Sequence, residues 1–355
     1  MDNPLIDIIV SIWNRPIETR NCLINLIDHS PNARFILVDN GSDRDTERML
    51  EEFAEILDHR ALLLRNNTNQ GYVRAVNRGL AQTEASFIAI IRNTTIVTDG
   101  WLEPLISLAG KRSEAGVIIP RLIPGTAGKA GKGGEPAALP IEADHGSLAA
   151  MLLKKRLYDA IGGIDENLDG GTWCLKDYSR RAYLAGFLTI KSGEGTVCFT
   201  DEIPLGSVER RERLVQRSIE HYRNRWGGEN SYCVYFPKGT DLNLLRQRVD
   251  SFLQGARQGH IFTILTHPPL HNELMRAELH RLHEHIRFVR LPLFFEKRAI
   301  EKAMACEDET ASFVRAVTGI DGMPFPVALE SITFAELEQM IAATQAEKYG
   351  NQTFT

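Results

Sequence analysis

The feature that most constrains this chain is a repeated alternation in its first hundred residues, between short apolar runs rich in β-branched residues and longer stretches with helical spacing. Ile6 to Ile12 reads as a buried strand and is broken by Asn14-Arg15-Pro16, after which Thr19 to Asp28 has the apolar spacing of a helix. Ala33 to Val38 predicts a second strand, Asp45 to Leu57 a helix, Ala61 to Leu64 a third strand, Val73 to Ala81 a helix and Ser86 to Ile91 a fourth strand. Such alternation specifies an α/β fold with a mostly parallel sheet covered on both faces. In sheets of this kind ligands bind beyond the carboxyl ends of the strands, where the polar loops gather.

Beyond Trp101 the pattern loosens. Pro124 to Pro140 is rich in Gly, Ala, Lys and Pro and reads as a surface insertion; Gly146 to Tyr158 resumes as a strand running into a helix. Gly162 to Glu166 is a turn, and Asp177 to Ala185 a helix ending at Gly186. A second unit begins near residue 240, with helices over Asp241–Gln254 and Asn272–His285, strands over His260–Leu265 and Ile286–Leu291, and helices to the end. The expected organisation is an α/β domain over 1–230 and an accessory domain over 240–355, α/β with a small βαβ module or mainly helical.

Composition narrows the function classes. A net charge of −5 gives no general reason to expect nucleic acid or an anionic membrane surface as a partner. The 5 cysteines show no CxxC spacing, which argues against a disulfide framework or structural zinc and fits a reducing cytoplasm. No basic leader precedes an apolar core, and no apolar run is long enough to span a bilayer, so the expected location is cytoplasmic or peripheral to a membrane.

Asp39-Asn40-Gly41-Ser42-Asp43 directly follows the second strand. An acid at a strand's carboxyl end can accept from a base NH or a ribose hydroxyl, and a glycine lets backbone approach a ligand. The same residues equally make a strand-to-helix turn with Asp43 or Asp45 as N-cap. The next rim loop and helix bring Asn69, Arg74 and Asn77. Arg74 suits stacking on a base or pairing with a phosphate, and Asn77 suits either the site or a polar contact between elements.

Taken in order, Trp13-Asn14-Arg15, Val38 to Asp43, Asn69 to Gly79 and Ile91 to Leu102 resemble the donor half of the family 2 glycosyltransferases, which have the GT-A fold. Gly162 to Gly186 resembles a later block of the same family, and the likeness extends to Trp226-Gly227. It is nearest to the rhamnosyltransferase-like branch that builds bacterial surface polysaccharides. The resemblance implies inverting transfer of a sugar from a uridine- or deoxythymidine-diphosphate donor to a glycan or lipid-linked acceptor. It also implies that Trp13, Arg15, Asp39 and Arg74, with Asn69, Arg92 and Asn93, line the nucleotide pocket, and that a divalent cation (Mn or Mg) bridges the diphosphate.

Departures from the family pattern fall on the chemistry. Thr94 stands where the cation-binding acid is expected, and a hydroxyl brings no charge to a hard cation. Cys174-Leu175 replaces the pair that supplies the base, and the family's histidine is missing around Val197 to Asp201. Two readings follow. In one, the enzyme works without metal: Arg92, Lys176, Arg180 or Arg181 neutralises the diphosphate, Asp177 acts as base and Trp173 stacks on the acceptor. In the other, the domain binds a nucleotide sugar or glycan without turnover, and Asp177 caps its helix. In the second unit, His267, His271, His280, His283 and His285 fit surface histidines better than a metal site, and Phe294-Phe295 suits docking to the first domain or a homodimer contact.

Overall fold

The computed structural model describes residues 6–125, 139–200, 208–305, 314–327 and 330–349. Most of the expected Pro124–Pro140 insertion lies outside them. The chain divides into two compact units, Met1–Pro140 with His145–Arg225, and Ile141–Asp144 with Trp226–Thr355.

In the first unit β1 (Ile6–Ile12), α1 (Pro16–Asp28), β2 (Ala33–Asp39), α2 (Arg44–Leu57), β3 (Ala61–Arg65), α3 (Tyr72–Leu80) and β4 (Phe87–Arg92) follow the expected alternation closely. They are followed by β5 (Thr95–Val97), α4 (Glu103–Lys111) and β6 (Ala115–Pro124). After β7 (Ile141–Glu142), which belongs to the second unit, come β8 (Ala150–Lys154), α5 (Lys155–Ile161), α6 (Trp173–Leu184), β9 (Leu188–Phe199) and α7 (Val208–Trp226). The strands lie in the order β3-β2-β1-β4-β8-β6-β9-β5. β1 to β4 are parallel, and β8 runs antiparallel to both β4 and β6. Register brings Ile12 beside Asp39, Asp39 beside Arg65 and Ser11 beside Arg92, so these strands end at one rim.

The apolar runs are buried for the reason expected: Ile8, Ile9, Val10, Phe35, Ile36, Leu37, Ile88 and Ile90 are all fully inaccessible. Asp43 caps α2, its carboxylate accepting from the Thr46 amide at 2.9 Å. At the opposite end of the sheet Asp7 is fully buried, paired with Arg34 at 2.7 and 3.0 Å and accepting from the Glu84 and Ala85 amides.

The second unit corrects the expected βαβ module with helical flanks. Its strands β10 (Ser231–Tyr235), β11 (Ile261–Thr266), β12 (Ile286–Arg290), β13 (Val314–Thr318) and β14 (Ser331–Thr333) form a parallel sheet in the order β12-β11-β10-β13-β14. The helices are α8 (Leu242–Arg257), α9 (Pro268–Arg276), α10 (Glu296–Met304) and α11 (Phe334–Thr344). The central strand β10 lies before residue 240, and two further strands stand where only helices were expected. α9 also ends at Arg276, well short of His285, because Glu278 adopts a left-handed φ of 56°. The core packs Tyr232, Val234, Phe252, Phe262, Ile264, Phe334 and Leu337. Glu142 is tied in by paired 2.8 Å bonds from Arg257.

Candidate functional site

The parallel strands of the first unit end at loops that bind to one another through polar groups. After β1, Asn14 and Arg15 take left-handed φ values of 57° and 60°. Two consecutive non-glycine residues in that region carry strain that the surroundings must hold, a cost that concentrates at functional sites. What holds them is visible. The Asn14 amide donates to Ser42 Oγ at 2.9 Å, and Asn14 Oδ1 accepts from the Asp43 amide at 2.8 Å. Trp13, 37% exposed, stands beside this turn as an accessible aromatic face.

Asp39 is buried at the rim, as its place at the end of β2 requires. Its Oδ1 accepts from the Ser42 amide at 3.0 Å, and its Oδ2 lies 3.9 Å from Arg65 Nε. The side chain thus shapes the turn in addition to any role toward a ligand. Asn40 is the hub that sequence reasoning missed. Its Nδ2 donates to Asn69 Oδ1 and to the Gly71 carbonyl at 3.0 Å, while its Oδ1 accepts from Asn66 Nδ2 at 2.8 Å and the Gln70 amide at 3.0 Å. Gly41 has φ 77°, and a Cβ there would stand 2.5 Å from the Thr68 backbone. The close approach that glycine permits is therefore between two protein loops. Asn69 is spent in the same way: its Oδ1 accepts from Asn40 and from the Gly71 amide at 2.9 Å.

On α3, Arg74 reaches Glu166 at 3.0 Å, with both side chains largely exposed. Asn77 bonds both the amide and the carbonyl of Ile164 at 2.8 Å, fastening the Gly162–Glu166 turn onto α3. Beyond that turn lies Asp169. Its Oδ1 accepts from the Val73 amide at 3.3 Å, so it caps α3 from a distant segment, and Gly71 leaves it room, since a Cβ there would stand 2.1 Å from Oδ2. Burial pushes the Asp169 carboxyl up to about 6, against the opposing pull of the Val73 and Tyr72 amides.

After β4, the stretch from Arg92 to Thr95 at the expected cation site carries no carboxylate. Asn93 is buried and donates to Thr19 Oγ1 at 2.9 Å; Thr94 is buried, and its Oγ1 has no hydrogen-bond partner. Arg92 is half-buried at the end of β4. Among the described residues no group of three or more His, Cys, Asp or Glu is placed to hold a metal ion. A lone hydroxyl beside amide and guanidinium groups does not fit a hard divalent cation.

The second block differs most from expectation. α6 begins at Trp173, four residues earlier than expected, so Asp177 lies inside the helix and cannot cap it. Asp177 is fully buried; Arg181 Nε donates to its Oδ2 at 2.8 Å and Arg225 Nη1 to its Oδ1 at 2.6 Å. Both carboxylate oxygens are thus held by guanidinium groups, out of reach of solvent. Arg181 is likewise committed, its remaining nitrogens bonding the Ile161 and Gly163 carbonyls at 2.9 and 2.8 Å, so it cannot serve a diphosphate in this arrangement. Arg225 also reaches Asp165 at 2.8 Å. Burial works against charge on Asp165, but the Asn167 amide and Arg225 outweigh it and hold the carboxyl below its usual range.

Cys174 and Leu175 are buried, and burial pushes the Cys174 thiol up to about 12, so it is a packing group. Trp173 lies 5.1 Å from the Tyr222 ring with Lys176 Nζ 5.0 Å from its centroid, a cation–π pair half-open to solvent.

Residues 7–160 match the family model described as Glycosyl transferase family 2. Among relatives, protein y4gI of Sinorhizobium fredii, itself uncharacterized, is 24% identical over 289 residues, covering 72% of this chain and 30% of that protein. Polypeptide N-acetylgalactosaminyltransferase 13 of Rattus norvegicus is 31% identical over 96 residues, 27% of this chain and 17% of that enzyme. The chain thus spans less than a third of these relatives' length. A solved structure of GalNAc-T7 with UDP, GalNAc and Mn2+ superposes with a TM-score of 0.49 at 14% identity, covering 62% of this chain and 50% of that one.

Proposed function

We propose that the first unit is an inverting glycosyltransferase that takes a sugar from a uridine or deoxythymidine diphosphate donor to a glycan or lipid-linked acceptor in bacterial surface polysaccharide synthesis. The observation that carries this reading is the rim itself. Buried Asp39, the strained Asn14-Arg15 turn and the Asn40 hub preorganise the three loops that meet beyond the parallel strands. In this reading Trp13 and Arg74 face the base, Asp39 receives its NH or a ribose hydroxyl, and Arg15, Arg92 and Asn93 lie toward the phosphates. Lys176 supplies positive charge to the leaving diphosphate, and no step passes through a cation. The acceptor sugar stacks on Trp173.

The proton from the acceptor hydroxyl goes to Asp169. A carboxyl with a pKa of about 6 is basic enough to accept it and is ionised at neutral pH. Attack of the acceptor oxygen on the anomeric carbon breaks the bond to the diphosphate, which leaves with the electron pair. Asp177 instead positions the site, locking α6 to Arg225 and, through Arg181, to the Gly163 turn.

One observation favours a second reading, a nucleotide-sugar-binding module without turnover: the two family base positions are buried as Cys174 and Leu175. Transfer assays with UDP- and dTDP-sugars separate the two. Turnover abolished by Asp169→Asn with nucleotide affinity retained supports the enzyme, whereas nucleotide binding with no hydrolysis or transfer of any donor supports the module.

A further inference from the structure

The second unit carries three consecutive large apolar side chains in open solvent. Leu293, Phe294 and Phe295 are 77%, 77% and 79% exposed, on the connection from β12 to α10. Both ends of this connection are anchored. Leu291 is fully buried and its amide donates to the Thr266 carbonyl at 2.9 Å, and Ile300 on the first turns of α10 is also fully buried. Phe295 moreover holds a left-handed φ of 62°, a conformation that bulky residues rarely adopt. The tip is thus a fixed projection with its apolar groups turned outward. Single exposed apolar residues need no explanation, but a contiguous projecting cluster marks a surface that meets something.

The charges around it identify what. Arg290, Lys297 and Arg298 are all exposed and flank the tip on both sides. The one acid within the stretch, Glu296, is turned toward the sheet, where it accepts from the Tyr235 hydroxyl at 2.9 Å and lies 3.5 Å from His267 Nε2. The three side chains offer roughly 400–500 Å² of apolar surface. That falls well short of the about 800 Å² per partner that a specific protein interface buries. A narrow apolar projection flanked in sequence by exposed cations suits a soft anionic surface, into which phenylalanine side chains insert while Lys and Arg meet the headgroups. We infer that the Leu293–Phe295 tip, with Arg290, Lys297 and Arg298, docks the second unit onto an anionic lipid surface. Among the described residues no helix is long and apolar enough to cross a membrane, so attachment by these residues is peripheral.

The test uses the full chain and co-sedimentation with vesicles of phosphatidylglycerol in phosphatidylcholine, against vesicles of phosphatidylcholine alone. The wild-type chain is expected to partition onto the anionic vesicles, less so as salt is raised. Phe294→Ser with Phe295→Ser should lower the partition coefficient at least tenfold, as should the triple change Arg290→Glu, Lys297→Glu and Arg298→Glu. Circular dichroism and nucleotide affinity should be unchanged in both, since these residues are exposed and outside the first unit; the inference stands or falls apart from the proposed transferase. No partition of the wild-type chain, or equal partition of the Phe variant, overturns it. So does a dimer in sedimentation velocity that the Phe variant converts to monomer, which would assign the tip to a second copy of the chain.

Discussion

At the rim of the first unit's sheet, the loops after β1, β2 and β3 are tied together by side-chain amides and carboxylates, and the backbone accepts strain at Asn14 and Arg15 to make the ties. At the corresponding rim of the second unit, Tyr235 bonds Glu296 from 61 positions away, and the connection after β12 projects bare Leu293, Phe294 and Phe295. Both sheets contain a run of parallel strands with helical connections, so that shared core alone does not separate them. The difference lies in what the loops are built to hold. A polar rim with its internal bonds satisfied is held rigid, whereas a projecting apolar rim is left open to contact.

Within the first unit a second contrast separates two aspartates, and the variants of largest effect break it. Asp177→Ala leaves Arg181 and Arg225 facing a buried gap, which should cost about 3–5 kcal/mol of unfolding free energy in urea titration. A variant of undiminished stability that has lost only turnover would return the role of base to Asp177. Asn40→Ala removes the shared partner of Asn66, Asn69, Gln70 and Gly71 and should cost about 2–3 kcal/mol and about tenfold in nucleotide affinity. Loss of stability with affinity untouched would separate the hub from the site.

Asp169 supplies the pH dependence. Its pKa of about 6 lies above its usual 3.8, so between those values the folded protein binds more protons than the unfolded chain. Its contribution therefore favours folding most below pH 4 and is lost as pH rises through about 6, to the extent of about 2–3 kcal/mol. Asp169→Asn should flatten stability across that window, and the wild-type transfer rate should fall as pH drops through about 6. Identical stability profiles in wild type and variant would show that Asp169 titrates normally. The smallest effect is expected of Arg74→Ala. Its pairing with Glu166 is exposed, so stability should change by less than about 0.5 kcal/mol. UDP affinity should nonetheless fall severalfold, and an unchanged Kd would remove Arg74 from the site.

Much of the first unit was legible because Ile6–Ile12 and Ala33–Val38 are mainly apolar runs, each followed by turn residues. The second sheet was half hidden. Ser231–Tyr235 is a five-residue strand of mixed side chains following Trp-Gly-Gly-Glu-Asn, and Val314–Thr318 interrupts its apolar pattern with Arg315. Short central strands without periodicity cannot be told from loops by pattern.

At the site, the residues ending each strand were readable, since register aligns them. The burial of Asp177 was not, because it depends on Arg225 from a helix 48 positions away. Asp169 likewise gained its environment from Gly71 and the start of α3, far off in sequence. Asn40 does most of the tying, but its partners Asn66, Asn69 and Gln70 come from a loop 26 to 30 positions away, which the Asp-Asn-Gly signature does not encode.

Central to this account is a preorganised nucleotide site on the first unit that works without a carboxylate-held cation. Isothermal titration of the full chain with UDP and dTDP, in EDTA and again with manganese, tests it most directly. The account predicts saturable binding of at least one of them in EDTA, weakened about tenfold by Asn40→Ala and changed little by added manganese. Binding that appears only with manganese, or no binding of either nucleotide, would contradict it.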